Sequence, residues 1–429
     1  MIIRALLGSL FISMILCAEE RVEKPCLFTN FVVQSSANRP KSKVLILTTK
    51  GGGANYAATK VLVERLEKSY MVEVVNILTD LWGKFDFIQR MTFGWYCGED
   101  FYNYLLRHSW NRAVNMLDTI GQWRMNSIKS SLIEVTSDYI KKSKPDLVIS
   151  VMPLIDPYVL AATEQNNVPF LVVNIDLDAS IYLRNVESTY EKFYLTIPFD
   201  DELLYTKIEK SQLPTGCIKP IGFPLRSAFF EKQCKGCIKE EFNIPENTPT
   251  VMIVMGGQGS VLSYDYVKAL AHSSDKMHLI VCLGRNEGVR KRIERIKLPK
   301  NITISIVGFT DKIADLMMVS DLLITKSGPT TLCEALHLQL PVLVSLIGEP
   351  IRWEKINGDF VLKHKLGDII THKKNIVPLV HTWLNNKKLR TTFKKNVMRF
   401  NQSSFGVSFD TLVLELLETS GATASVMVQ

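Results

Sequence analysis

The first 226 residues contain a single histidine, His108, although the chain of 429 residues has seven. Chemistry in that half that needs an imidazole therefore has one candidate. Beyond its first 18 residues the sequence also lacks any apolar run of about 18 residues, the length a bilayer-spanning helix needs. Blocks of like charge are missing as well. The 51 basic and 43 acidic residues leave +8, too small an excess to indicate nucleic acid and equally suited to a nucleotide phosphate or an anionic membrane surface. The eight cysteines show no repeating spacing, which argues against the disulfide framework of a small secreted domain and for a reducing compartment. Cys234 and Cys237 form one CxxC, but no second close pair completes four zinc ligands, so an ordinary loop is expected there.

What is present is enough chain, 46% of it apolar, for two ordinary domains, because single cores stop growing near about 250 to 300 residues. Residues 1–40 form an apolar targeting or anchor segment and a linker: Arg4 precedes an apolar run from Ala5 to Ala18, short for a span and typical of a signal sequence. Apolar runs then alternate with helical stretches. KVLILTT (43–49), MVEVVNI (71–77), DLVISVM (146–152) and FLVVNID (170–176) make one series. TVMIVMG, HLIVCLG, ITISIVG, DLLITKS and PVLVSLI make a second, starting at Thr250. Short Val- and Ile-rich runs bounded by Gly, Asp or Pro are strands buried on both faces, and βαβα order gives parallel sheets in an α/β fold.

Two doubly wound domains are thus expected, 41–226 and 227–400, divided where Gly and two prolines punctuate KPIGFPLR. Residues 401–429 carry a helix whose stripe of Phe409, Leu412, Val413, Leu416 and Leu417 must dock elsewhere. Residues 78–144 show no strand signal and hold four of the six tryptophans, Trp82, Trp95, Trp110 and Trp123. Those rings either pack the helices of an insertion or form an interfacial patch with Arg90, Arg107 and Arg112.

Three loops invite a ligand. Gly51, Gly52 and Gly53 follow a strand and open a helix, which lets backbone approach a negative group, although neither GxGxxG nor a P-loop is present. Gly256, Gly257, Gln258, Gly259 and Ser260 occupy the same kind of turn, and their amides and hydroxyl suit a diphosphate. Lys326, Ser327, Gly328, Pro329, Thr330 and Thr331 end another strand and lead into a helix bearing Glu334. Ligands in open α/β sheets sit outside the carboxyl ends of strands, where these loops lie.

The runs GGGAN (51–55), KPDLVISVMPL (144–154), IGFPLR (221–226), MGGQGS (255–260), CLGRN (282–286), VGF (307–309) and ITKSGPTTLCEAL (324–336) together resemble the monogalactosyldiacylglycerol synthase and diacylglycerol glucosyltransferase family. The resemblance runs from about Lys43 to about Phe400 and is most specific in KSGPTTLCEA. It implies a GT-B fold, two Rossmann-like domains facing a cleft, with a UDP-sugar held by the C-terminal domain and a diacylglycerol-type lipid approached by the N-terminal one. Gly257, Gln258, Gly259 and Ser260 would meet the diphosphate, with Ser327, Gly328, Thr330 and Thr331 on the same side. Phe309 would lie at the base, Glu334 would accept from the ribose, and Glu354 and Asn357 would stand near the sugar, although Arg352 and Trp353 replace the family's usual Gly and Gln. No permanently bound cofactor and no metal is required.

The chemistry implied is attack of an acceptor hydroxyl on the anomeric carbon, which needs a base for the proton and donors for the leaving diphosphate. Where the family places histidines this sequence has Ala54 and Met152. The candidate bases are Asp176, which matches the family's Asp at a strand end, then Asp178 or His108; a loop-ordering or capping carboxylate is the alternative for Asp176. Two functions follow: a lipid glycosyltransferase with a relocated base or an altered, for example polyprenyl-linked, acceptor, or a catalytically impaired nucleotide-sugar-binding scaffold at membranes. In both, the body would face the cytosol, tethered by the N-terminal segment.

Overall fold

Lys43–Thr48, whose last five residues are all buried, is the central strand type of this protein: apolar on both faces, and flanked on each side by a parallel neighbour. The computed structural model describes residues 32–33 and 42–419, apart from 187, 209–212, 214–215, 258 and 402–403. The expected anchor segment and Gln258 lie outside the described residues. Thirteen strands are described: β1 (Val32–Val33), β2 (Lys43–Thr48), β3 (Met71–Asn76), β4 (Leu147–Ser150), β5 (Phe170–Val172), β6 (Phe193–Ile197), β7 (Ile218–Pro220), β8 (Thr250–Val254), β9 (Met277–Cys282), β10 (Ile302–Val307), β11 (Leu322–Lys326), β12 (Val342–Ser345) and β13 (Gly367–Ile370).

They form two sheets, β1-β3-β2-β4-β5-β6-β7 and β10-β9-β8-β11-β12-β13, parallel throughout except for antiparallel β1. In each sheet the chain reverses its direction of travel beside the first long strand, between β2 and β4 and between β8 and β11. Such switch points open a crevice at the carboxyl ends, and the loops after β2, β4, β8 and β11 all start there. The helix Phe405–Thr419 buries Phe409, Leu412, Val413, Leu416 and Leu417 and lies against the helix Ala54–Leu66, where Arg65 forks onto Asp410 at 3.0 and 2.5 Å.

Between β3 and β4 the connection is helical, comprising mainly Gly98–Arg107, Asn111–Ser127 and Lys129–Ser143. Its aromatic residues divide. Trp82 is buried and donates its indole N–H to Thr136 Oγ1 at 3.1 Å, and Phe101 is buried too, whereas Phe93, Trp95 and Trp123 are 93%, 83% and 72% exposed. Packing thus accounts for some of the rings and leaves others facing water. Among the described residues no helix is long and apolar enough to cross a membrane.

The CxxC departs from the plain loop expected of it. Cys234 and Cys237 are joined as a disulfide, with Cα atoms 5.3 Å apart across the start of the helix Lys235–Glu241. One helical turn brings residues i and i+3 within disulfide reach, which a search for zinc ligands does not weigh.

Candidate functional site

The donor side of the cleft is built on the ends of β8 and β11. Gly259 has φ +72, and a Cβ there would collide with the carbonyl of Leu283, so only glycine lets the loop after β8 pack on the loop after β9. The side chain of Lys326 runs past Gly256 and Gly328, where any Cβ would crowd its Cε. Lys326 Nζ then meets Glu354 Oε1 at 2.8 Å, Ser327 Oγ donates to Glu354 Oε2 at 3.1 Å, and Asn357 Nδ2 donates to the Ser327 carbonyl. Glu354 and Asn357 are buried, and Asn357 Oδ1 and Thr330 Oγ1 are buried polar atoms with no partner among the described residues. Unsatisfied acceptors of this kind beside a cation and a glycine loop fit a site shaped for a polar ligand.

The other residues named from the sequence are placed differently. Glu334 is buried and already paired, its Oε1 accepting from Arg226 Nη2 at 2.8 Å; burial raises its pKa and the guanidinium opposes that rise. Arg226 in turn lies over the Phe229 ring. Phe309 is 63% exposed with the Arg285 guanidinium 4.6 Å from its ring centre. Ser260 is buried, and its hydroxyl shares a 2.7 Å hydrogen bond with Ser109 Oγ, which belongs to the insertion of the N-terminal half. Lys326 and Arg226 lie inside the runs ITKSGPTTLCEAL and IGFPLR that carry the resemblance, whereas the contact of Ser260 to Ser109 spans 151 residues and leaves no local signal.

On the acceptor side, Asp176 is buried at the end of β5's loop and accepts from Tyr182 OH at 3.0 Å. Burial first, then the charge of Glu354 across the cleft, push its pKa up to about 7 against the opposing Tyr182 bond and the Lys326 charge. Those two influences put Asp176 within electrostatic reach of the Lys326–Glu354 pair. The capping role is held by Asp178, whose Oδ1 accepts from Ser180 N at 3.2 Å and from Ser180 Oγ at 2.5 Å. His108 is exposed and engaged with its own helix, Nδ1 at 3.0 Å from the Tyr104 carbonyl and the ring tilted on Tyr104 and near Trp110.

The loop of Gly51, Gly52 and Gly53 is braced by the insertion on one side, while Gly53 is exposed with no atom near the place a Cβ would take. Glu99, buried in the insertion, accepts from Thr49 Oγ1, from Lys50 N at 2.6 Å and from Asn76 Nδ2 at 3.2 and 3.0 Å. Asn103 accepts from Gly52 N at 2.8 Å and donates to the Lys50 carbonyl at 3.2 Å, while the Tyr102 ring covers the positions a Cβ would take on Gly51 and Gly52. Tyr102 holds its proton firmly, since burial and the charges of Glu354, Asp176 and Asp118 all raise its pKa. Ala54 and Met152 stand at the two positions where the sequence reading expected a family histidine, and Met152 is buried. Among the described residues no group of three or more His, Cys, Asp or Glu is arranged to hold a metal.

Two Rossmann-like domains with glycine loops meeting at one cleft define a GT-B protein. Residues 250–352 match the Glycosyltransferase family 28 C-terminal domain. Monogalactosyldiacylglycerol synthase 1 of Arabidopsis thaliana is 26% identical over 369 residues, covering 81% of this chain and 65% of that protein; the chain thus spans just under two thirds of that relative. The Bacillus subtilis processive diacylglycerol beta-glucosyltransferase is 21% identical over 83% of this chain and 90% of its own length. Over most of its length the chain is thus similar to these glycolipid glycosyltransferases, and its residues 250–352 match their family's C-terminal domain. The crystal structure of Acinetobacter baumannii MurG superposes with a TM-score of 0.56 at 14% identity, over 89% of this chain and 100% of MurG, a likeness of fold alone.

Proposed function

We propose that the protein is a glycosyltransferase that moves a hexose from a UDP-sugar to a diacylglycerol-type lipid at an anionic membrane surface. The observation that carries this reading is Asp176, a buried carboxyl with a pKa of about 7 that faces the Lys326–Glu354 pair from the opposite domain. A base whose pKa lies near neutrality is well matched to taking a proton from an acceptor hydroxyl. In the proposed step the hydroxyl oxygen bonds to the anomeric carbon, the bond from that carbon to the diphosphate breaks, and Asp176 receives the hydroxyl proton. UDP leaves with its charge opposed by Lys326, by the backbone amides of the 256–260 loop and by the Ser260 hydroxyl. Glu354 and Asn357 would orient the sugar, Thr330 and Thr331 the phosphates, and Phe309 the base. Glu334 would reach the ribose on breaking or sharing its bond to Arg226.

The lipid and membrane parts of the proposal rest on the relatives, both named for diacylglycerol glycolipids, and on two surface features. Phe93, Trp95 and Trp123 offer rings to an interface. Between Asp368 and Asp410 the sequence contains no acidic residue but eight Lys and Arg, as many as the whole net charge; Lys387, Lys388, Lys394 and Lys395 are exposed on one helix.

A second reading, a nucleotide-sugar-binding scaffold, is favoured by the covering of Gly51 and Gly52 by Tyr102 together with Ala54 and Met152. Incubation of the full chain with UDP-galactose or UDP-glucose and diacylglycerol vesicles containing an anionic lipid separates the two. Glycolipid product is expected; binding of either nucleotide sugar without transfer to any lipid would leave the scaffold.

A further inference from the structure

The helices Gly98–Arg107 and Asn111–Ser127 belong by sequence to the acceptor half, yet their best-buried polar anchor points at the donor half. Asn115 is 2% exposed. Its Nδ2 donates to the Pro350 carbonyl at 3.2 Å and to Glu349 Oε1 at 3.4 Å, and its Oδ1 accepts from the Arg352 amide at 3.0 Å. Around it lie outer contacts: Arg112 Nε to Glu349 Oε2 at 2.6 Å, Asn111 Nδ2 to the Glu349 carbonyl at 2.8 Å, and Arg352 Nη1 to Thr119 Oγ1 at 3.0 Å. Beneath it, Phe101, Leu105, Val114 and Ile351 form a core of their own, separate from the main one, with Trp353 at its margin. The Arg184 guanidinium, paired with Asp118 at 2.9 Å, lies 5.9 Å from the Trp353 ring centre.

The segment so gripped, 349–353, leads directly into Glu354 and Asn357, which hold Lys326 and Ser327. A segment between a strand end and a helix has few hydrogen bonds of its own to fix its backbone, and here the other domain supplies them. The outer ion pair is exposed and screened, so it constrains little, whereas a buried amide bonded to a backbone N–H and a backbone C=O sets register closely.

We propose that Asn115 is a positioning residue for the sugar of the donor. By fixing the backbone at Pro350 and Arg352 from the acceptor domain, it aims Glu354 and Asn357, so preference for UDP-hexose over UDP depends on a residue of the opposite half. This rests on the donor reading above and goes beyond it in assigning sugar recognition to the insertion.

Isothermal titration of the full chain with UDP and with UDP-glucose or UDP-galactose tests it. Asn115→Ala is expected to weaken UDP-hexose binding about tenfold while UDP stays within about twofold, because the diphosphate loops keep their own anchors. Asn115→Gln keeps an amide donor for the Pro350 carbonyl and an amide acceptor for the Arg352 N–H and should recover part of the difference; it also stands in should the alanine variant fail to fold. Arg112→Ala, which removes only the exposed ion pair and leaves Glu349 in place beside Asn115, is expected to leave the preference within about twofold. Equal losses for UDP and UDP-hexose in Asn115→Ala, or no loss for either, would overturn the role assigned to Asn115 while leaving the donor site standing. A wild-type chain that binds neither nucleotide would instead remove the donor site, and this inference with it.

Discussion

In the C-terminal half Lys326 and Ser327, at the end of β11, close on Glu354 and Asn357 of the same domain and Gly259 interlocks with the next glycine turn, while Asn115 and Ser109 of the insertion hold Pro350, Arg352 and Ser260 from outside. In the N-terminal half the corresponding loop after β2 is fixed by an insertion, Glu99 and Asn103 reaching Thr49, Lys50 and Gly52 across 49 to 51 positions. The C-terminal site is thus assembled at its own strand ends and clasped by the insertion. The acceptor half has covered its glycine loop with Tyr102 and leaves Asp176 as the titrating group. The same insertion therefore braces loops on both sides of the cleft.

The sharpest way to break that comparison is to remove the proton acceptor. Asp176→Asn is expected to lower kcat by on the order of a thousandfold with UDP affinity little changed, as measured by glycolipid formation and UDP titration. Retained activity would return the base to another group, and Asp176 would be a buried structural carboxyl. On the donor side, Lys326→Ala is expected to cost about a hundredfold in kcat/KM, since a cation facing the leaving diphosphate is lost and the buried Glu354 is left unpaired. If donor binding survived that change intact, the Lys326–Glu354 pair would be structural only.

The two halves also differ in how much their sequences disclosed. Strands β2 to β5 and β8 to β12 were legible because each is a short apolar run bounded by turn residues. β7 escaped because it is half-exposed and ends in Pro220, and β13 because Asp368 interrupts its apolar pattern. The donor loops were visible because their glycines and hydroxyls lie next to one another in the chain. Glu99, Asn103, Ser109 and Asn115 were invisible, since what makes each important is a partner 49 to 237 residues away. The disulfide of Cys234 and Cys237 was missed for a different reason: only the helical turn between them decides whether their sulfurs meet.

A smaller effect tests what the exposed part of the insertion does. Phe93→Ser with Trp95→Ser removes two rings that make no core contact in the fold, so thermal stability should stay within about 0.5 kcal/mol of wild type. Cosedimentation with vesicles containing an anionic lipid should fall about tenfold, the amount expected if each ring buries part of its surface in the headgroup region. Unchanged cosedimentation would transfer membrane contact to the basic run between Asp368 and Asp410, and the insertion would be a clasp alone.

The smallest effect separates chemistry in one half from stability in the other. Asp176 at about 7 must lose its proton to act, so kcat should rise with pH through neutrality and fall below it. His278, on β9, is buried, with Nδ1 2.8 Å from Thr303 Oγ1, and burial lowers its pKa to about 4. Because the folded state holds it neutral while the unfolded chain protonates it near its ordinary value of about 6.5, the unfolded state binds more protons between about pH 6.5 and 4. The His278 contribution is therefore fully present above about 6.5 and declines on acidification through that window, by at most about 1.4 kcal/mol per pH unit, while Asp176, protonated at about 7 in the fold but only near its ordinary value of 3.8 in the unfolded chain, contributes with the opposite sign as pH falls through neutrality. Denaturant midpoints should accordingly not fall between about pH 8 and 6.5, where the catalytic limb already does, and His278→Leu should change only the stability profile. A catalytic limb that moved with His278→Leu would mean that the acid loss of activity is unfolding of the donor half, and Asp176 would lose its claim to the proton.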